Sequence, residues 1–176
     1  LELGHRHFLY LPGPKYNLSQ TRRYAGIMDA LSEANVPASN IREIDYHTVF
    51  GSSAESTSSY KPYEELFFPV NYTAVIGFND LQSYSAMEIL QKKGYRIPED
   101  ISLISFDHLR KTHTYLPPLT SIADNSEKSI ADTAVSILLD KIRNPSSEIS
   151  SEVLPVSIFD DHTTGPINET FAHSFE

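Results

Sequence analysis

The chain has 176 residues, a formal net charge of −9 from 14 Lys+Arg against 23 Asp+Glu, and a 40% hydrophobic composition. That is one ordinary globular domain, or one lobe of a larger protein with an appendage, and it holds no run of about 18 apolar residues for a membrane helix. Zero cysteines exclude disulfides, thiolate metal sites and thiol catalysis, and the acidic balance argues against this chain gripping a phosphate backbone by itself.

His7–Leu11 (HFLYL) reads as a first strand, closed by Pro12-Gly13-Pro14. Tyr24, Ile27, Met28 and Leu31 follow at i, i+3, i+4 and i+7, one face of a helix. Asn17 or Ser19 is its expected N-cap, and Pro37 lies beyond its end. Ile41–Tyr46 is expected as a second strand, followed by a Ser-rich loop over Gly51–Ser59. A second helix is expected with Tyr60, Tyr63, Leu66 and Phe67 on one face. Thr73–Phe78 (TAVIGF) is nearly all apolar, the pattern of a strand covered on both faces.

Asn79 or Asp80 then caps a third helix running to about Lys93, where Gly94 stops it. Ile101–Phe106 (ISLISF) is another buried strand. Thr114–Ile122 contains Pro117-Pro118 and is expected to be neither a helix nor a central strand. A fourth helix near Ser126–Arg143 carries Ile130, Ala134, Ile137 and Leu138 as a stripe and ends at Asn144-Pro145. Val153–Phe159 reads as the last strand, and the tail after Thr164 has little pattern. Alternating strands and helices with near-continuous apolar strands predict an α/β fold, an open parallel sheet with helices on both faces.

In such a sheet, ligands bind outside the carboxyl ends of the strands. The residues there are Asn17, Ser19 and Arg23 after the first strand, then Tyr46 and His47, then Asn79 and Asp80, then Asp107 and His108. Arginine, acids, an amide and a tyrosine on one rim offer both donors and acceptors, which suits a small polyhydroxylated ligand. Tyr60 offers a ring for a sugar face. Helix capping by Asn79 or Asp80 and solvation of Arg22 and Arg23 are the competing structural roles.

The stretch Thr73–Thr120 resembles the effector-binding domain of LacI/GalR-type bacterial regulators. The likeness is carried by the apolar strand into Asn79-Asp80, by Gly94-Tyr95-Arg96-Ile97-Pro98-Glu99-Asp100-Ile101-Ser102, and by Phe106-Asp107 leading to Pro117-Pro118-Leu119-Thr120. The opening GHRHFLYLPGP with Ser19, Arg23 and Gly26, and Leu154-Pro155-Val156 before Thr163-Thr164, extend it over about Gly4 to Thr164.

The resemblance implies a periplasmic-binding-protein-like fold of two lobes holding a sugar or similar effector. Residues 1–164 would then be the effector-binding domain: 1–122 the C-terminal lobe, 123–152 elements that pack in the N-terminal lobe of relatives, and 153–164 the last strand, with 165–176 a tail. By matching positions, Arg23, Asn79 and Asp107 grip ligand hydroxyls, Tyr60 stacks, and Ser19 and Asp124 lie close to the ligand. Tyr84 and Tyr115 match the dimer contact surface. Ser105, His108, Asp161 and His162 depart from the family pattern. The family's helix-turn-helix headpiece has no counterpart before the first strand, so the chain is expected to be truncated at its N-terminus. Operator DNA would then be reached only through that missing segment, and the 123–152 elements would lack their usual sheet neighbours. The implied mechanism is allosteric, in a cytoplasmic homodimer without cofactor.

Two rival classes are weighed against this. For an enzyme there is no GxSxG elbow, P-loop, GxGxxG or HExxH, and no nucleophile with an activating base on the rim. His5 with His7, and Asp160-Asp161-His162, read as fortuitous neighbours rather than metal sites. A sugar-binding protein of a transport system shares the fold, but the start Leu1–His7 lacks the charged and apolar regions of a signal peptide.

Overall fold

The computed structural model describes residues 1–44, 63–125, 129–148 and 151–173. Six strands form one sheet: β1 (Phe8–Leu11), β2 (Ile41–Glu43), β3 (Ala74–Gly77), β4 (Ser102–Phe106), β5 (Ser121–Asp124) and β6 (Val156–Phe159), in the order β2-β1-β3-β4-β5-β6. β1 to β5 pair in parallel, with Phe8 opposite both Ile41 and Ala74, Val75 opposite Leu103, and Phe106 opposite Ile122. β6 runs antiparallel to β5. The α-helices are α1 (Leu18–Glu33), α2 (Asp80–Lys92), α3 (Ile130–Arg143) and the short α4 (Glu169–Ala172).

The apolar strands are continuous because alternate residues enter two different cores. Leu9, Leu11, Val75 and Leu103 pack with Ala86, Met87 and Leu90 of α2. Phe8 and Ala74 pack with Leu31 of α1 and Val36, and Ile27 and Met28 close the edge. Leu9, Leu90 and Leu103 are wholly buried, and truncating any of them to Ala costs about 2–5 kcal/mol.

Local chemistry sets the helix ends. The Asn17 Oδ1 accepts the Ser19 and Gln20 amides at 2.8 and 3.2 Å, so Asn17, not Ser19, is the cap of α1. Asn79 caps α2 by accepting the Gln82 amide at 3.0 Å. Gly94, at φ +91°, closes the same helix: its amide donates to the Gln91 carbonyl and the next amide, of Tyr95, to the Leu90 carbonyl. α3 starts with a reciprocal box between Ser129 and Asp132.

Several expectations are corrected. The sheet is parallel only through β5. The chain returns from α3 to the same edge and lays β6 against β5 in reverse, so the last strand is antiparallel and three residues shorter at its start than Val153–Phe159. Strand β5 begins at Ser121, inside the segment expected to hold no central strand, and lies between β4 and β6. Its first bond to β4 is the Thr120 carbonyl accepting the Ser105 amide at 3.0 Å, so Pro117 and Pro118 never owe it a hydrogen bond. Over its described residues the expected second helix is a 3-10 turn, Tyr63–Phe67, with Pro69 two residues beyond its end. Tyr60 lies outside the described residues, as do Tyr46 and His47; β2 is assigned over Ile41–Glu43. The tail is not patternless: Asn168 caps α4, and Phe171 packs its ring edge against Tyr95 at 5.9 Å.

The register brings the carboxyl ends of β1, β3, β4 and β5 to one rim. At its start, the β1–α1 connection is pinned from within. The buried Gln20 Oε1 accepts from the Tyr10 hydroxyl at 2.7 Å and the Gly13 amide at 2.6 Å. Burial pushes the Tyr10 phenol up to about 12. Gly13 is required here because a Cβ would stand 2.6 Å from the Phe78 ring.

Candidate functional site

Arg23 sits in the second turn of α1, where the Asn17 cap and the Gln20 anchor fix its backbone. One guanidinium nitrogen donates to the Phe78 carbonyl at the end of β3, and the other donates to Asp107 Oδ1, after β4, at 3.0 Å. Its guanidinium carbon lies 4.8 Å from the centre of the Phe78 ring and 4.5 Å from that of Phe106. Two aromatic faces, a carbonyl and a carboxylate thus hold the cation from the ends of two neighbouring strands, a far stiffer setting than a solvated surface arginine. The side chains of Arg23 and Asp107 remain 23% and 43% exposed, so the pair still faces the rim and has bonding capacity left for a guest.

Asp107 and His108 occupy consecutive positive-φ positions, +99° and +51°. His108 turns away from the pair and stacks on Phe159 of β6, ring centres 4.2 Å apart. An open groove of about 640 Å³ borders the site. Arg23, Asp107, Asp124 and Glu152 are its charged lining, and Ile122, Ile130, Ile137 and Leu154 are among its apolar lining. Thr133 of α3 also lines it, 8% exposed and with its hydroxyl unpartnered.

The structure brings together Arg23, Asp107 and Asp124. Asn79 adjoins them through the Phe78 carbonyl; its Oδ1 is spent on the cap, while its amide nitrogen has no partner among the described residues. Ser19 is exposed on the first turn of α1 and is not part of the groove lining. Tyr84 is half-buried and donates to the Pro117 carbonyl at 3.1 Å, with burial raising its phenol to about 12. Tyr115 is 80% exposed, its ring edge against His113. Sequence reasoning missed Phe78 and Phe106 as the cation's platform. The signal was an aromatic at the carboxyl end of each of two neighbouring strands. It also missed the role of Asp80, which is buried and bonds away from the groove.

Among the described residues no group of three His, Asp or Glu side chains is placed to hold a metal. His5 does not pair with His7; it is buried at the amino ends of the strands, bonded to Thr73, Ser102 and Gly165. No helix among the described residues is long and apolar enough to cross a membrane.

The domain and its fold are matched among known proteins. The periplasmic binding protein-like domain family matches residues 1–164. The HTH-type transcriptional repressor PurR of Escherichia coli O139:H28 is 34% identical over 159 residues, covering 88% of this chain and 44% of that protein. The dimeric Lac repressor with an 11-residue C-terminal deletion superposes with a TM-score of 0.74 at 27% identity, over 95% of this chain and 58% of that one. A LacI family transcriptional regulator from Enterococcus faecium, solved with bound ribose, shares the fold with a TM-score of 0.74 at 23% identity, over 95% of this chain and 60% of that one. The chain therefore belongs to the periplasmic binding protein-like domain family. It spans less than half the length of the curated repressor it matches.

Proposed function

We propose that this domain binds a small sugar-like effector at the carboxyl rim of its sheet and transmits that binding to operator DNA through segments outside this chain. The observation that carries the reading is the Arg23–Asp107 pair, seated on two aromatic rings yet open to a groove. The guanidinium donates and the carboxylate accepts, so adjacent hydroxyls of one sugar satisfy both. Asp124, the Asn79 amide and Ser19 supply further contacts, and Tyr60 a stacking face.

The apolar face of α3 fits a division in which residues 1–122 and 153–164 form one lobe and 123–152 pack into a second. Ile130, Leu138 and Ile142 are each more than half exposed, an unusual burden for a helix meant to face water. A ligand between two lobes favours one arrangement over another. Moving such an equilibrium from mostly one state to mostly the other takes about 5.5 kcal/mol of differential affinity. The whole protein acts in the cytoplasm as a homodimer, with Tyr84 and Tyr115 on the contact surface. The chain is a binding module, not an enzyme.

The test is calorimetric titration of a pentose and hexose panel, beginning with D-ribose, against the complete protein and its Arg23→Ala and Asp107→Ala variants. Binding in the parent and its loss in both variants, with melting still cooperative, is the expected result. Unchanged titration in both variants refutes the site. Sedimentation showing only monomer at high concentration refutes the dimer.

A further inference from the structure

Asp80 opens α2 and has the sequence look of an ordinary helix-start acid, yet its side chain is 1% exposed. Its Oδ2 accepts the Leu109 amide at 2.6 Å, and its Oδ1 accepts the Ser121 hydroxyl at 2.7 Å. The Ser121 oxygen in turn accepts the His108 amide at 2.9 Å. The Asp107 amide donates to the Ile122 carbonyl at 2.9 Å. All three amides of residues 107–109 are therefore tied down, two of them by Asp80 directly or through one hydroxyl.

Those amides belong to the turn that places Asp107 and His108 at positive φ. Non-glycine residues keep such backbone only where the surroundings over-determine it. We infer that Asp80 is a positioning residue: through Leu109 and Ser121 it holds this left-handed pair and thereby aims the Asp107 carboxylate at Arg23. The chemistry requires an acid. Two donors, an N–H and an O–H, converge on one side chain, and only a carboxylate accepts with both oxygens. Asparagine would turn an NH2 against one of them, so that either the Leu109 amide or the Ser121 hydroxyl loses the acceptor it has in Asp80. The negative charge is also favoured at the N-terminus of α2. The consequence for ligand binding rests on the reading of Arg23 and Asp107 as effector contacts; the consequence for the turn does not.

The experiment is nuclear magnetic resonance on the full 176-residue chain, comparing wild type with Asp80→Asn and Ser121→Ala. In Asp80→Asn the His108 and Leu109 amides should exchange with solvent at least about tenfold faster. The Asp107 carboxyl carbon resonance should move to where it stands in Arg23→Ala, while the amides of Leu9 and Val75 stay protected. Ser121→Ala should do the same more weakly, and Ser121→Thr, which keeps the hydroxyl, should restore the wild-type signals. Should Asp80→Asn fail to fold, Ser121→Ala carries the test alone. Wild-type exchange and an unmoved Asp107 resonance in the folded variants overturn the inference. Titration of the complete protein with the same pentose and hexose panel separates the two readings. No binding to wild-type protein counts against the effector site and leaves the turn result standing. Where a sugar binds, Asp80→Asn should weaken it at least about tenfold while Ser121→Thr binds as wild type does, and wild-type affinity in folded Asp80→Asn overturns action through Asp107.

Discussion

Two polar clusters sit at opposite ends of the same sheet and differ in how completely they are satisfied. At the amino ends, His5 is buried and its bonds are all to the protein. Its Nδ1 meets the Thr73 hydroxyl at 2.9 Å, and its Nε2 meets the Gly165 carbonyl at 2.9 Å and Ser102 Oγ at 3.0 Å. The Gly165 amide returns a bond to Ser102 Oγ at 3.0 Å. At the carboxyl ends, Arg23 and Asp107 hold each other but remain partly open to a groove. A closed network contributes only to the fold, here by stapling the C-terminal segment under the strands. An open, rigid pair has capacity to spare, and that distinguishes a binding site from a buried polar core.

The largest effect expected from breaking this contrast is at the open end. Arg23→Ala and Asp107→Ala should abolish effector binding with little change in melting temperature, because neither side chain is buried. At the closed end the ordering reverses. His5→Ala should destabilise the chain by about 1–3 kcal/mol, since it removes the buried imidazole and its bonds to Thr73, Ser102 and Gly165, and should leave ligand affinity unchanged. Urea unfolding followed by titration separates the two outcomes.

A smaller effect should appear with pH. Burial is the main cause holding the His5 imidazole below its ordinary value of 6.5. The unfolded chain therefore binds a proton before the folded one does, so stability is full above about pH 6.5 and falls as the pH drops toward the lowered folded value. His5→Gln should flatten that slope between pH 7 and 5 in thermal melts. The smallest effect belongs to Asn17→Ala, which removes the cap of α1 at a cost of about 1 kcal/mol and should weaken binding only slightly, through looser placement of Arg23.

Much of the fold was legible because its causes are local. Apolar runs made β1, β3 and β4, Asn79 and Gly94 bounded α2, and the stripe on α3 marked an apolar face. What was not legible depends on partners far along the chain. Val156–Phe159 looks the same whether it runs with or against its neighbour, and only its pairing with Ser121–Asp124 made it antiparallel. Arg23 and Asp107 were legible as rim residues from their positions after strands. That Phe78 and Phe106 support the guanidinium was not, because each is an ordinary strand-end aromatic until the parallel register sets them side by side.

The amino-acid sequence by itself determined the alternation of strands and helices, their caps, and the set of polar side chains at the strand ends, because periodicity and capping act within a few residues. Only the tertiary structure decided which of those polar groups line the open groove and which serve the fold. Asp80 and His5 carry the same chemistry as exposed acids and imidazoles elsewhere in the chain. Burial against Leu109 and Ser121, or against Thr73 and Ser102, turns them into structural ties, and the groove beside Arg23 and Asp107 leaves that pair free to bind.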